Sequence, residues 1–394
     1  MAATLKMSPW PAFSEEEVNA VAQTLASNRV NYWTGHKGRD FESAFAQWCG
    51  TRHSIALANG TLALDLALTC MGVGPGDEVV VTPRSFIASV SSVVNVGATP
   101  VFADVDRESG NICPASIESV LTKRTKAIIP VHIGGWPCDM PAIMEMARAH
   151  RVKVIEDCAQ AHGAMIGEKM VGSFADVGAW SFCQDKIMTT GGEGGMVTTD
   201  DGELWRAMWS YKDHGKSWDA VYNRDHPPGF RWLHESFGTN WRMIEMQAAI
   251  GLLQLGYLES WTKRRTAIAN QIAATLDRFE EIVRCPRPDA DCLTHAYYRL
   301  YAYINPSALA PGWDRDRIVQ EVNEAGAPVL HGTCSEIYLE KAFDRTSWRP
   351  KERLPNAREL GETSLMFLTH PTQSDGEIDQ VCDVLTRVFE QARG

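Results

Sequence analysis

Between residues 50 and 200, short apolar runs alternate with stretches whose apolar positions recur at helical spacing, which predicts βαβ units around a mostly parallel sheet. The β-rich runs are 53–58, 78–82, 100–104, 126–131, 152–156, 177–182 and 196–199, each bounded by turn-forming residues, so the expected sheet has seven strands. Between them, 61–71, 87–96, 114–121 and 139–150 read as helices, with Gly72, Gly97 and the GPGDE turn as stops. A long helical pattern then runs from Ile244 past Gln247 and Leu255 towards Phe279. After it, Tyr297 to Asn305 reads as a strand, Asp314 to Ala325 as a helix and Asp375 to Gln391 as a closing helix. The pattern predicts an α/β chain with a large unit over residues 1–255 and a smaller α+β unit over 256–394, the N-terminal segment being free to pack on the smaller one. Residues 213–241, rich in aromatic residues, glycine and proline, predict a long loop of the kind that covers a site or reaches a second subunit.

With 44% hydrophobic and 22% charged residues among 394, the chain can bury a core large enough for both units. Acidic residues outnumber basic ones by 49 to 38, so no broad attraction to nucleic acid or anionic membrane is expected, and an anionic ligand must be held locally. The absence of a signal-like start or a long apolar run predicts a cytoplasmic chain without membrane spans. The ten cysteines are scattered and form no C-x-x-C pair, which favours free thiols, and no metal site is expected.

The chemistry concentrates in VIEDCAQAHGA at 154–164 and SFCQDKIMTTGGEGG at 181–195. Each places polar groups just beyond a buried strand, the edge at which open α/β sheets bind ligands. An ionised Asp157 at such a strand end can keep a pyridine nitrogen protonated. Lys186, on the turn leaving the next strand, offers a primary amine that can condense with an aldehyde, five residues after the Ser181 hydroxyl. Gly60 and Thr61 open a helix whose N–H groups suit a phosphate, and Phe86 offers a flat face for stacking. Both nucleotide fingerprints, G-x-G-x-x-G and G-K-[ST], are absent. Taken singly, Asp157 also reads as a helix cap, Phe86 as core, and His162, His214 and His331 as structural.

Together these segments resemble the DegT/DnrJ/StrS sugar aminotransferases, and the resemblance covers nearly the whole chain. It implies the fold-type I aspartate aminotransferase architecture and pyridoxal 5′-phosphate as cofactor, with pyridoxamine 5′-phosphate as its intermediate form. By it, Lys186 is the Schiff-base lysine, Asp157 partners the pyridine nitrogen, Gln160 lies against the ring hydroxyl, Ser181 with Gly60 and Thr61 holds the phosphate, and Phe86 stacks on the ring. TNWRM at 239–243 is similar to the segment whose asparagine reaches the cofactor phosphate of the other subunit, which implies a homodimer and a role for Asn240. Arg242, beside it, is either interface support or a substrate contact, and His331 in LHGTCSE is the other candidate substrate contact. The resemblance implies transfer of an amino group from L-glutamate to a nucleotide-linked keto-deoxy sugar. The TTGGEGG run favours C4 of a 4-keto-6-deoxyhexose, C3 being the alternative. Dehydratase relatives carry histidine at the lysine position, so Lys186 argues against that activity. A non-catalytic sensor with the same fold is the alternative of another class.

Overall fold

The computed structural model describes residues 7–289 and 291–393. Two helices precede the first strand: α1 (Glu15–Ala26) and α2 (Lys37–Cys49). Neither was anticipated from the apolar pattern. Ser14 and Glu17 close a capping box at the start of α1, and Gly50 ends α2 in the left-handed conformation.

Seven short strands then alternate with helices, because each apolar run is too short for a helix and carries β-branched residues that fit a doubly covered sheet. They are β1 (His53–Leu57), β2 (Glu78–Val81), β3 (Thr99–Phe102), β4 (Thr125–Ile129), β5 (Lys153–Asp157), β8 (Val177–Ser181) and β9 (Gly195–Thr199), with a small hairpin of β6 (Met165–Ile166) and β7 (Lys169–Met170) between β5 and β8. The sheet order is β1-β9-β8-β5-β4-β2-β3, and β9 runs antiparallel to both its neighbours while the other pairings are parallel. The helices α3 (Gly60–Cys70), α4 (Ala88–Asn95), α5 (Pro114–Glu118), α6 (Met140–His150) and α7 (Gly202–Lys212) accompany it. The seven strands and the four helices expected between residues 61 and 150 are therefore present, within a few residues of their expected ends.

The 213–241 segment contains one short helix, α8 (Trp218–Tyr222). The single helix expected from Ile244 is two: α9 (Glu245–Leu255) and α10 (Leu258–Leu276). Gly256 caps α9, and glycine is the weakest helix former after proline, so the apolar periodicity continues across a backbone break.

A second, antiparallel sheet follows, in the order β10 (Val283–Arg284), β12 (Arg299–Ile304), β14 (Ser364–Leu368), β13 (Val329–Leu330), while β11 (Leu293–Thr294) joins the β6–β7 hairpin. Its core is built from α10, α11 (Arg315–Glu324) and α13 (Asp375–Ala392), through Ile268, Ile272, Ile318, Leu385 and Phe389 against Leu300, Ala302, Leu365 and Phe367. The short helix α12 (Pro355–Thr363) leads into β14. The N-terminal segment packs here: Ser8 Oγ donates to Glu377, and Pro9 C=O accepts from Thr372. Among the described residues, no helix is long and apolar enough to cross a membrane.

Candidate active site

Because β1, β5 and β8 point the same way, their carboxyl ends deliver Asn59, Asp157 and Ser181 to one edge of the sheet. A cavity of about 740 Å³ opens there, roofed by Tyr298, Arg299 and Tyr301 around β12. Gly60, Thr61, Phe86, Asp157, Gln160, Ser181 and Lys186 all line it.

Asp157 is buried at the end of β5. One carboxylate oxygen accepts the Ser89 hydroxyl at 2.8 Å and the other the Ala159 N–H at 3.1 Å. Burial pushes its carboxyl above the usual range, and the Ser89 and Ala159 hydrogen bonds and the Lys186 charge offset this only in part. A buried carboxylate in that condition favours a cationic partner in the cavity.

The Lys186 side chain is 15% exposed, with its Nζ 4.0 Å from Asp185 Oδ1 and 5.1 Å from the centre of the Tyr298 ring. Tyr298 in turn donates its hydroxyl to the other Asp185 oxygen. Burial raises the Asp185 carboxyl, but the Lys186 charge and the Tyr298 hydrogen bond outweigh it and hold the group below its ordinary range. The backbone of Lys186 is fixed as well, since its carbonyl accepts the Trp10 indole N–H at 2.9 Å.

The opposite wall gathers hydrogen-bond donors of the kind that suit an anion. Asn59 caps α3 by accepting the Leu62 N–H at 3.0 Å, and the first helical N–H groups, those of Gly60 and Thr61, have no partner within the helix. Ser181 closes against this turn so tightly that a Cβ on Gly60 would lie 2.5 Å from the Ser181 Cβ. Gln160 is oriented by the Gly134 N–H, which its Oε1 accepts at 2.8 Å, so its amide N–H groups remain available to a ligand. Phe86 is 66% exposed, an open aromatic face on the cavity.

Three expected site residues lie apart from this cavity. Arg242 donates to the buried Asp213 at 2.8 Å, which also takes Lys216 at 3.0 Å. Asn240 is solvent-exposed and bridges Asp213 through its backbone. The His331 imidazole is 54% exposed and sits 3.2 Å from Asp316, while its neighbours Leu330, Gly332 and Thr333 line the cavity. His162 packs against Trp180 and Phe182 in the core, where burial drives its imidazole down to about 3 and keeps it neutral. His132, Glu156 and Cys158 also meet in the core. There Glu156 accepts N–H groups from Gly172, Phe174 and Ala175 at 2.6–2.8 Å. His132 Nδ1 accepts the Cys138 N–H at 2.9 Å. Protein donors satisfy this cluster.

Sequence reasoning passed over Asn59, Ser89, Asp185, Tyr298 and Arg299. Only Asn59 had a local signal, as an asparagine immediately before a helical pattern.

The sheet order, the second antiparallel sheet and the cavity between them are those of the α/β aminotransferases. The structure of an aminotransferase from Psychrobacter cryohalolentis superposes with a TM-score of 0.97 at 57% identity, covering 98% of this chain and 100% of that one. A Streptococcus pneumoniae protein described as a sugar aminotransferase, solved in its PMP form, superposes with a TM-score of 0.87 at 25% identity, over 98% and 99% of the two chains. The model of the DegT/DnrJ/EryC1/StrS aminotransferase family matches residues 11–386, and the chain belongs to that family. It is 44% identical to the UDP-N-acetyl-3-dehydro-α-D-glucosamine 3-aminotransferase of Acidithiobacillus ferrooxidans, covering 91% of this chain and 90% of that protein. It is 36% identical to the GDP-perosamine synthase of Caulobacter vibrioides, over 94% and 98%.

Proposed function

We propose that this aminotransferase carries an amino group from L-glutamate to C4 of a nucleotide-linked 4-keto-6-deoxyhexose, using pyridoxal 5′-phosphate. The observation that carries the proposal is the convergence of Asp157, Lys186 and the Gly60–Ser181 cradle on one cavity. The residues fit that cofactor: a phosphate matches the free N–H groups of α3 and the Ser181 hydroxyl, and a protonated ring matches the buried Asp157. When bound, the cofactor supplies an electron-withdrawing ring that stabilises negative charge at the substrate carbon beside the nitrogen.

The chain's own residues do the rest. Asp157 holds a proton on the pyridine nitrogen, and Ser89 keeps that carboxylate oriented. In the first half of the reaction Lys186 Nζ would take the proton from the donor's α carbon and give it to the former aldehyde carbon of the cofactor. In the second half it would move a proton the opposite way, onto the sugar carbon that receives the nitrogen, acting as general base and general acid in each. Gln160 offers an amide N–H to the ring hydroxyl, and Phe86 covers one ring face. Residues 1–255 form the cofactor-binding unit, and residues 256–394 bring Tyr298 and Arg299 over it.

Asn240 and a second copy of the chain complete the proposed site. Phe230, Trp232 and Phe237 on the same loop are 77%, 80% and 98% exposed, an apolar patch that a homodimer would cover. Sedimentation of a Trp232→Asp, Phe237→Asp variant as a monomer supports this; an unchanged dimer argues that another face makes the contact.

Amination at C3 is the second reading, favoured by the 44% identical relative, whose name specifies position 3. The deciding experiment loads the purified protein with cofactor, adds L-glutamate, follows the loss of the aldehyde absorbance, and then supplies 3-keto and 4-keto sugar nucleotides for product analysis. Borohydride should trap cofactor on the wild type and not on Lys186→Ala. A spectrum unmoved by L-glutamate and other amino donors would instead mark a sensor.

A further inference from the structure

We propose that Arg299 binds a carboxylate of the amino-acid donor; this rests on the transaminase reading above. Arg299 opens β12, lines the cavity and is only 7% exposed. Its Nη1 donates to the Tyr298 carbonyl at 2.8 Å and contacts His370 Nε2 at 3.2 Å, which leaves Nε without any partner among the described residues. His370 offers no negative charge, and burial together with the Arg299 and Arg265 charges drives its imidazole down to about 3. No carboxylate lies within ion-pair distance of Arg299 among the described residues. The acid beside it, Asp185, is engaged by Tyr298 and faces Lys186.

A buried guanidinium without a counter-anion is costly, and one that borders a ligand cavity can recover that cost from the ligand. The distances place a carboxylate of the donor within reach. Arg299 Cζ lies 4.2 Å from the centre of the Tyr298 ring and Lys186 Nζ 5.1 Å from the same point, so the two cations cannot be more than 9.3 Å apart. An amino acid whose nitrogen reacts at Lys186 carries its carboxylates a few bonds away, within that span. The planar fork of arginine also matches a carboxylate in two parallel hydrogen bonds.

Calorimetry of the cofactor-loaded protein with glutarate, a dicarboxylate without an amine, tests the assignment independently of turnover. Arg299→Gln should raise the glutarate dissociation constant about 10- to 100-fold, the range expected for losing a charge-assisted pair. Arg299→Lys should fall between it and the wild type. The L-glutamate concentration giving half-maximal loss of the aldehyde band should rise in parallel, while the borohydride-trappable link at Lys186 persists and shows that the site is folded. L-Alanine distinguishes the two carboxylates: an equal loss for alanine places the α-carboxylate on Arg299, and a loss confined to glutamate places the side-chain one there. Equal glutarate affinity in wild type and Arg299→Gln, absent binding included, overturns the proposal. So does a defect confined to the keto sugar nucleotide. A wild type that binds glutarate but is spectrally silent to L-glutamate removes the donor reading while leaving the carboxylate site standing.

Discussion

Ser89 donates its hydroxyl to Asp157 at 2.8 Å, and both side chains are buried beneath the candidate cavity. The Asp157 carboxyl nevertheless stays above its usual range, because burial outweighs that hydrogen bond. The folded chain therefore disfavours ionised Asp157 relative to the unfolded chain. Below the unfolded carboxylate value both states are protonated and nothing is lost; as pH rises through the raised folded value, stability falls and then levels off. Asp157→Asn should accordingly raise the melting temperature of the cofactor-free protein at pH 8, by roughly 1–2 °C per kcal/mol relieved. The advantage should shrink as pH falls through the raised folded value and be gone below about 4. The same variant should lose transamination. Calorimetric melting across pH checks the first part, and a uniform effect at all pH values would contradict it.

Gly60 is held to glycine by its close approach to Ser181. A Cβ there would stand 2.5 Å from the Ser181 Cβ and 2.9 Å from its hydroxyl, so the strand end or the helix must shift. Gly60→Ala is expected to cost about 1–3 kcal/mol of stability, as overpacking does, and to weaken cofactor binding measured by fluorescence titration. Gly376→Ala, at a position with open space around it in the first turn of α13, is the control: it should leave cofactor binding unchanged and stability equal or up to about 1 kcal/mol higher.

The convergence of Asp157, Ser181 and Lys186 on one cavity was legible because Asp157 and Ser181 each end a short apolar run and Lys186 follows the second. Strand ends in a parallel sheet converge whatever lies between them in the chain. The residues that tune the site were not legible. Ser89 meets Asp157 across 68 positions and Trp10 meets Lys186 across 176, and no periodicity records such pairings. The α9–α10 break was hidden because apolar spacing carries across Gly256. The Ser14–Glu17 capping box, by contrast, stands in the sequence as S-x-x-E and was available to a closer reading.

Trp10 ties the N-terminal segment to Lys186. Its indole N–H holds the Lys186 carbonyl, and its ring meets Trp261 edge-on at 5.1 Å and His370 at 6.0 Å. Trp10→Phe preserves an aromatic ring and removes the donor, so it should lower stability by about 1 kcal/mol. It should also slow the L-glutamate half-reaction, because the Lys186 backbone is less well fixed, with cofactor affinity nearly unchanged. Stopped-flow absorbance separates the two effects; an unaltered rate with the same stability loss would leave Trp10 a purely packing residue.

Glu156, next to Asp157 on β5, points to the opposite face and organises the core there. Its carboxylate gathers the Gly172, Phe174 and Ala175 N–H groups, and its Oε2 faces His132 Nε2 at 3.2 Å. Because those donors come from the loop that leads into β8, the carboxylate fixes the strand that ends at Ser181. Glu156→Ala strands all three donors away from water and should cost about 3–5 kcal/mol, the range for breaking a buried charged pair. That corresponds to a melting temperature lower by roughly 4–6 °C in a chain of this size. Glu156→Gln keeps one carbonyl oxygen for the Phe174 and Ala175 N–H groups and should lose less. Because protein donors already occupy this carboxylate, neither zinc nor a chelator should move the wild-type melting curve. A zinc-dependent rise that disappears in Glu156→Ala would make the cluster a metal site rather than a clamp.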